Sequence, residues 1–293
     1  MPNFQGMWDL RTQFQYAGEW PEPVLASGRA LFAGGYGSAY SNVIDFINIE
    51  TTGNASDFGD LSNTPFSLGA LASKTRGVFG GGELSDTDSY ARQDVIEYVT
   101  IASEGNVTDF GDLIQANRAP AGSSSDTRGL FAGGYTSSNS RLDVIQYITI
   151  ASTGDATDFG DLTQSIWVGA ACSSTTRSVR MGGSTSSGDT NVMDYVTIAS
   201  TGNATDFGDL SEIRQSMAAL SSPTRGVGAG GNGPGGNKNI MEYITIATTG
   251  NATDFGDISS SRYLFGPGST HLRGVFGGGY DGAASNVLEF ITI

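Results

Sequence analysis

The chain has 293 residues, 43 of them glycine, and carries 30 acidic against 15 basic residues for a formal net charge of −15. That balance speaks against a nucleic-acid partner, whose phosphates need a basic stripe, and against docking on an anionic membrane surface. Cys172 and His271 are the only residues of their kinds, which excludes an internal disulfide framework and any metal centre built on Cys and His clusters.

No collagen-like Gly-X-Y period accompanies the glycine. No apolar run approaches the roughly 18 residues of a membrane span. The start, MPNFQGMWDL, has neither a basic nor an apolar region of the secretory kind, so no signal peptide is expected.

Self-similarity dominates the rest. The segment Asn191–Leu210, NVMDYVTIASTGNATDFGDL, recurs with few changes five times between Asn42 and Ile258, and its first half returns as Asn286–Ile293. A second landmark is an arginine followed by a short apolar run and a glycine doublet. It stands at Arg29, Arg76, Arg128, Arg177, Arg225 and Arg273, at intervals of 47, 52, 49, 48 and 48 residues. Such a period is too long for ankyrin, tetratricopeptide or leucine-rich repeats and close to the roughly 50 residues of a kelch propeller blade.

In chain order each unit predicts four strands. A small-residue segment such as Leu68–Ser73 is followed by the doublet strand, Gly77–Gly81, where glycine is expected to allow crowding of backbones near an axis. The third strand, as in Asp94–Ile101 (DVIEYVTI), is apolar on both faces and therefore has to be covered on both. The fourth carries TDFGDL, as in Thr108–Leu113. Stacked blades supply the double cover.

The last unit, Arg273 to the end, has 21 residues and stops after its third strand, while 28 residues precede Arg29. Together they make one repeat. Trp8-Asp9-Leu10 matches the Gly-Asp-Leu of the fourth strands, and PVLAS before Gly28 matches LGALAS before Lys74. The expectation is one all-β domain over 1–293, a six-bladed β-propeller of four-stranded antiparallel blades. Its N-terminal segment would complete the last blade and begin the first, removing an exposed sheet edge.

These features resemble the kelch repeat, in which a Gly-Gly strand precedes a Tyr-bearing strand and a Trp-bearing outer strand. Phe58, Phe110, Phe159, Phe207 and Phe255 stand near that Trp position. The wording of Asn191–Leu210 also resembles repeats of kelch-like virion proteins of marine tailed phages. The resemblance implies a non-enzymatic structural or adhesive protein on a tail, fibre or capsid surface. Its partners would be other virion proteins or a host-surface glycan or protein, with no nucleic acid and no membrane insertion. The alternatives are a kelch-type protein-interaction scaffold and, more remotely, a glycan hydrolase.

Motifs that suggest chemistry have simpler readings. Asp-Phe-Gly occurs five times without the companions a kinase requires. The glycine clusters lack the lysine or helix of a phosphate cradle. Asn203, Asp206 and Asp209 could offer oxygen ligands to calcium, but backbone turn chemistry is the preferred reading, and no cofactor is expected. The sequons at Asn54, Asn106, Asn203 and Asn251 fall at one repeat position and read the same way. A galactose-oxidase-like copper site needs more histidine and cysteine. A sialidase-like site needs an arginine triad, whereas the six arginines here are locked to the repeat.

Five third strands carry an acid at one position, Asp45, Glu97, Asp194, Glu242 and Glu289, with Gln146 as the exception. Equal copy number suggests that carboxylates hold the repeat arginines, against two independent solvated rows. The connections between third and fourth strands are nearly constant, and those before each arginine are similar. The connections between second and third strands, and between blades, vary. In an up-and-down blade the two variable classes share a face, and loops on a rigid scaffold carry function. That face would display Tyr36, Tyr40, Tyr90, Tyr135, Trp167, Tyr263 and Tyr280, either as ligand-stacking aromatics or as caps on the blade interiors.

Overall fold

The computed structural model describes residues 28–293 except Ser38, Thr87 and Asp88. The architecture is an all-β six-bladed propeller. Blade 2 is the sheet Gly69–Ala72, Arg76–Gly80, Ser89–Thr100 and Thr108–Arg118, with strands paired in sequence order and all antiparallel. Blades 3, 4 and 5 repeat this plan from Ala121, Ala170 and Ala218.

Blade 1 shows Arg29–Ala33, Val43–Asn48 and Ser56–Asp60, and blade 6 shows Gly266–Ser269, Arg273–Gly277 and Leu288–Thr292. The strands expected to complete these two blades, at Trp8 and at PVLAS, lie outside the described residues. The ring nonetheless closes. Ala30, Ile47, Ile49 and Phe32 of blade 1 form one apolar cluster with Val275 and Leu288 of blade 6.

The third strands are buried on both sides, as their composition requires. Ile96 and Val99, on opposite faces of one strand, join different clusters, each spanning a blade junction. Inner strands crowd so closely that Ser124 Oγ donates to Ala72 O at 2.6 Å, Ser173 Oγ to Ser124 O at 2.7 Å and Ser269 Oγ to Ser221 O at 2.8 Å.

The doublet glycines correct one expectation. They sit just past the end of the second strand, or in blade 4 at an irregularity within it, with φ between 56° and 119° in all six blades. The second glycine N–H donates to the crossover carbonyl leading to the next blade, as in Gly82 to Asn117 O and Gly134 to Ile166 O. A Cβ on the first glycine would meet that carbonyl, at 2.7 Å for Gly81 and Gly133. Glycine is required there for left-handed φ and for closure over the crossover.

Candidate functional site: the variable-loop face

The two variable loop classes are joined by backbone pairing. Phe66 bridges Glu83, Trp167 bridges Ser184, Gln215 bridges Asn232 and Tyr263 bridges Tyr280. At the remaining described junction, Arg118–Asn117 pairs with Tyr135–Thr136. Each crossover is therefore stitched to the loop of the blade it enters, and both classes lie on one face. Each of the five described crossovers also holds one non-glycine residue at left-handed φ: Ser67, Ala119, Val168, Ser216 and Leu264, between 50° and 56°. Such conformations persist only where the surroundings over-determine them. Here Ala119 N donates to Ser67 O, Ser216 N to Val168 O and Leu264 N to Ser216 O.

The aromatic residues expected on this face gather in pairs across junctions. Exposed Tyr36 lies 4.8 Å from Tyr40, which lies 5.2 Å from Phe66. Tyr135 and Trp167 are 4.9 Å apart, and Tyr263 and exposed Tyr280 are 5.7 Å apart. Tyr90 belongs to the hairpin Glu83–Asp86/Ser89–Thr100 that rises from blade 2; its side chain lies outside what is described.

Sequence reasoning missed the arginines beside them. Arg118 lies over Trp167 at 4.8 Å and over Tyr135 at 5.5 Å, and Arg92 and Arg141 each stand 5.8 Å from the Tyr135 ring. Buried Glu83 binds both Arg92 and Arg118 at 3.0 Å, which fixes the two guanidinium groups against the rings. Arg92 and Arg141 share one repeat position, five residues before Glu97 and Gln146, whereas Glu83 and Arg118 have no like residue at their positions in the other blades, and that partial irregularity was the available signal. The result is a half-buried aromatic and cationic patch over blades 2 to 4 of an otherwise acidic molecule.

The opposite face is welded rather than open. Three of the four sequon asparagines accept from the neighbouring blade: Asn106 Oδ1 from Asp60 N, Asn203 Oδ1 from Asp161 N and Asn251 Oδ1 from Asp209 N, all at 3.1 Å, and Asp155 does the same for Asp112 N. The side-chain oxygen accepts a backbone donor, and that donor belongs to another blade rather than to the same turn. Among the described residues no three His, Cys, Asp or Glu side chains converge as a metal site would require.

The arginine–carboxylate expectation is overturned. The six repeat arginines lie over an aromatic ring of their own third strand, Phe46, Tyr98, Tyr147, Tyr195, Tyr243 and Phe290, at 3.6 to 4.6 Å. Arg29, Arg76, Arg128 and Arg177 donate to the carbonyls of Ile101, Ile150, Ile198 and Ile246 in the next blade at 2.8 to 3.1 Å. Among the described residues only Arg29 of these six reaches a carboxylate, that of Glu104. A ring face and a carbonyl satisfy the cation without the cost of desolvating a carboxylate.

The acid row has its own task. Glu97, Asp194, Glu242 and Glu289 accept the backbone N–H of Ser62, Thr163, Ser211 and Ser259, the first residue after each outer strand's Leu or Ile. Gln146 accepts Ile114 N at 2.8 Å in the same way. An acceptor oxygen, rather than a charge, is what the position needs, so Gln146 conforms to the pattern. Asp45's equivalent donor would lie outside the described residues; burial, then repulsion from Asp57, raises its carboxyl above the ordinary value.

Cys172 offers no reactive thiol. It is buried in the blade 4–5 cluster, and burial pushes its pKa up to about 12.

The fold and this face define a six-bladed β-propeller compatible with the kelch-like plan, an architecture that suggests a protein-interaction scaffold. No protein-family model matches the chain, and no curated protein does.

Proposed function

We propose that the protein is a non-enzymatic propeller of a virus-particle surface whose variable-loop face binds a host-surface glycan or a neighbouring virion protein. The observation that carries the recognition surface is the stitched loop face, where aromatic residues gather and the half-buried Tyr135–Trp167 pair lies beside Arg92, Arg118 and Arg141, while the opposite face is consumed by contacts between blades. Aromatic rings with an adjacent guanidinium suit sugar faces and protein surfaces alike. The assignment to a particle rests on the resemblance of the repeat wording to virion propellers.

The binding half is tested on a glycan array and by pull-down of particle proteins, using the native chain and a Tyr36→Ala/Trp167→Ala/Tyr280→Ala variant. Retention on a defined glycan or virion protein, lost in the variant, is the expected result. Mass spectrometry of purified particles tests the location. Particles lacking the chain, or binding indifferent to the triple substitution, overturn the corresponding half.

A further inference from the structure

The junctions between blades share one buried arrangement of acceptors. It comprises the carbonyl of the first doublet glycine, the carbonyl two residues before the acid of the third strand, and the acid itself. Into blade 5, Arg214 fills it from the crossover. Nη1 donates to Gly230 O and Ile240 O at 3.0 Å, and Nη2 binds Glu242. Into blade 6, Arg262 occupies the same crossover position and binds Glu289. In blade 4 the crossover residue is Ile166, and the guanidinium arrives from the second strand instead. Arg180 Nε and Nη2 bind Asp194 at 2.8 and 2.9 Å, and Nη1 donates to Gly182 O. In blade 3 the acid is replaced by Gln146, and the crossover residue is the neutral Asn117. Charge is therefore matched at these four junctions, by two different routes where an acid is present.

The junction into blade 2 breaks the match. Its acid is Glu97, but the crossover residue is Pro65 and the second-strand residue is Phe79. A small cavity remains, with its mouth at exposed Ser62 and Asn63. Glu97, Gly81 and Val95 line it, the counterparts of the three acceptors that hold Arg214. Glu97 is 8% exposed, accepts a single long bond from Ser62 N at 3.5 Å and has no ion-pair partner among the described residues. A carboxylate so buried is ordinarily paired.

We propose that this cavity between blades 1 and 2 is a binding site for a guanidinium group supplied from outside, on a partner's arginine side chain or on a small guanidine. The planar fork fits a carboxylate flanked by two carbonyls, which a tetrahedral ammonium cannot engage in the same plane. The inference stands whether or not the loop face binds glycan.

Methylguanidinium is titrated at constant ionic strength against the native chain, with amide NMR shifts of Ser62 and Gly81 as the readout and methylammonium as the control. Saturable shifts are expected, with at least tenfold weaker response to methylammonium and at least tenfold weaker binding in Glu97→Gln. Pro65→Arg, which places a guanidinium as in the blade 5 junction, is expected to abolish the response. It keeps the test decisive if Glu97→Gln fails to fold. A blocked Arg-containing tripeptide that binds tighter than methylguanidinium identifies a partner side chain as the source, and equal or weaker binding identifies a free guanidine. Shifts that do not saturate, that methylammonium reproduces, or that persist in Pro65→Arg overturn the proposal.

Discussion

At the scale of single residues, buried polar groups are selected for what they accept or donate, and charge follows only where a counter-charge has room. Glu242 and Gln146 do the same work on a backbone N–H, yet only Glu242 faces a guanidinium. Desolvation lowers the Arg214 pKa while Glu242, the nearest opposing charge, holds it up. Glu242→Gln keeps the acceptor but strands that cation in the interior, and it should destabilise the fold by roughly 3–5 kcal/mol. Adding Arg214→Met should recover most of the loss, because the cost lies in the unpaired charge. Urea denaturation of the two variants measures both values, and a Glu242→Gln loss below about 1 kcal/mol would show that the pair is hydrated.

Asp112 illustrates the reverse situation on the welded face. Its side chain is exposed, and slight desolvation, then repulsion from Asp94, Asp155 and Asp109, raises its carboxyl above the ordinary 3.8. The folded state thus binds this proton more tightly than the unfolded chain, so stability falls as pH rises from 3.8 through the raised value. Asp112→Asn should remove that decline. The variant is expected to gain in urea midpoint at neutral pH and to gain nothing below pH 3.8; a gain that is the same at both ends excludes the titration.

At the scale of strands and turns, the constant segment TGNATDFGD is a fastener between blades. Gly202 N donates to Phe159 O, Ala204 N to Asp161 O, and the Asn203 side chain takes Asp161 N. Period, strand count and the sharing of a face by the variable loops were legible in the sequence because each repeats. The purpose of the constant turn was not, since its partners are backbone atoms about forty residues away and backbone acceptors leave no trace in residue type. The repeat arginines were misread for the same reason: their acceptors are carbonyls of isoleucines. Gly160 lies at φ +143°, and a Cβ there would stand 2.5 Å from Gly202 O, whereas Gly256, at φ +118°, has nothing described within 4 Å. Alanine at either position meets backbone strain. Gly160→Ala should cost about 1–3 kcal/mol more than Gly256→Ala, from overpacking. Equal losses in thermal or urea unfolding would mean the fastener yields.

At the scale of the molecule, stability depends on a ring with no free sheet face, so every junction should count, including the one that joins the two ends of the chain. The packing device is visible at two seams. Phe131 of blade 3 fills the space left by Gly69 and Gly80 of blade 2, and Phe32 of blade 1 fills the space left by Gly266 and Gly277 of blade 6. The pairs are equivalent positions, but their sequence separation differs. Phe131 fastens neighbours in the chain, while Phe32 fastens segments more than two hundred residues apart. Truncating either leaves a cavity and should cost on the order of 3–5 kcal/mol, less for Phe32, which is only half-buried. Hydrogen exchange separates the consequences. Phe131→Ala should accelerate exchange in blades 2 and 3 alone. Phe32→Ala should accelerate it in blades 1 and 6 together, because opening that seam exposes two sheet faces that have no other cover. Acceleration confined to blade 1 would mean that blade 6 draws its stability from elsewhere, and the closed ring would not be the cooperative unit.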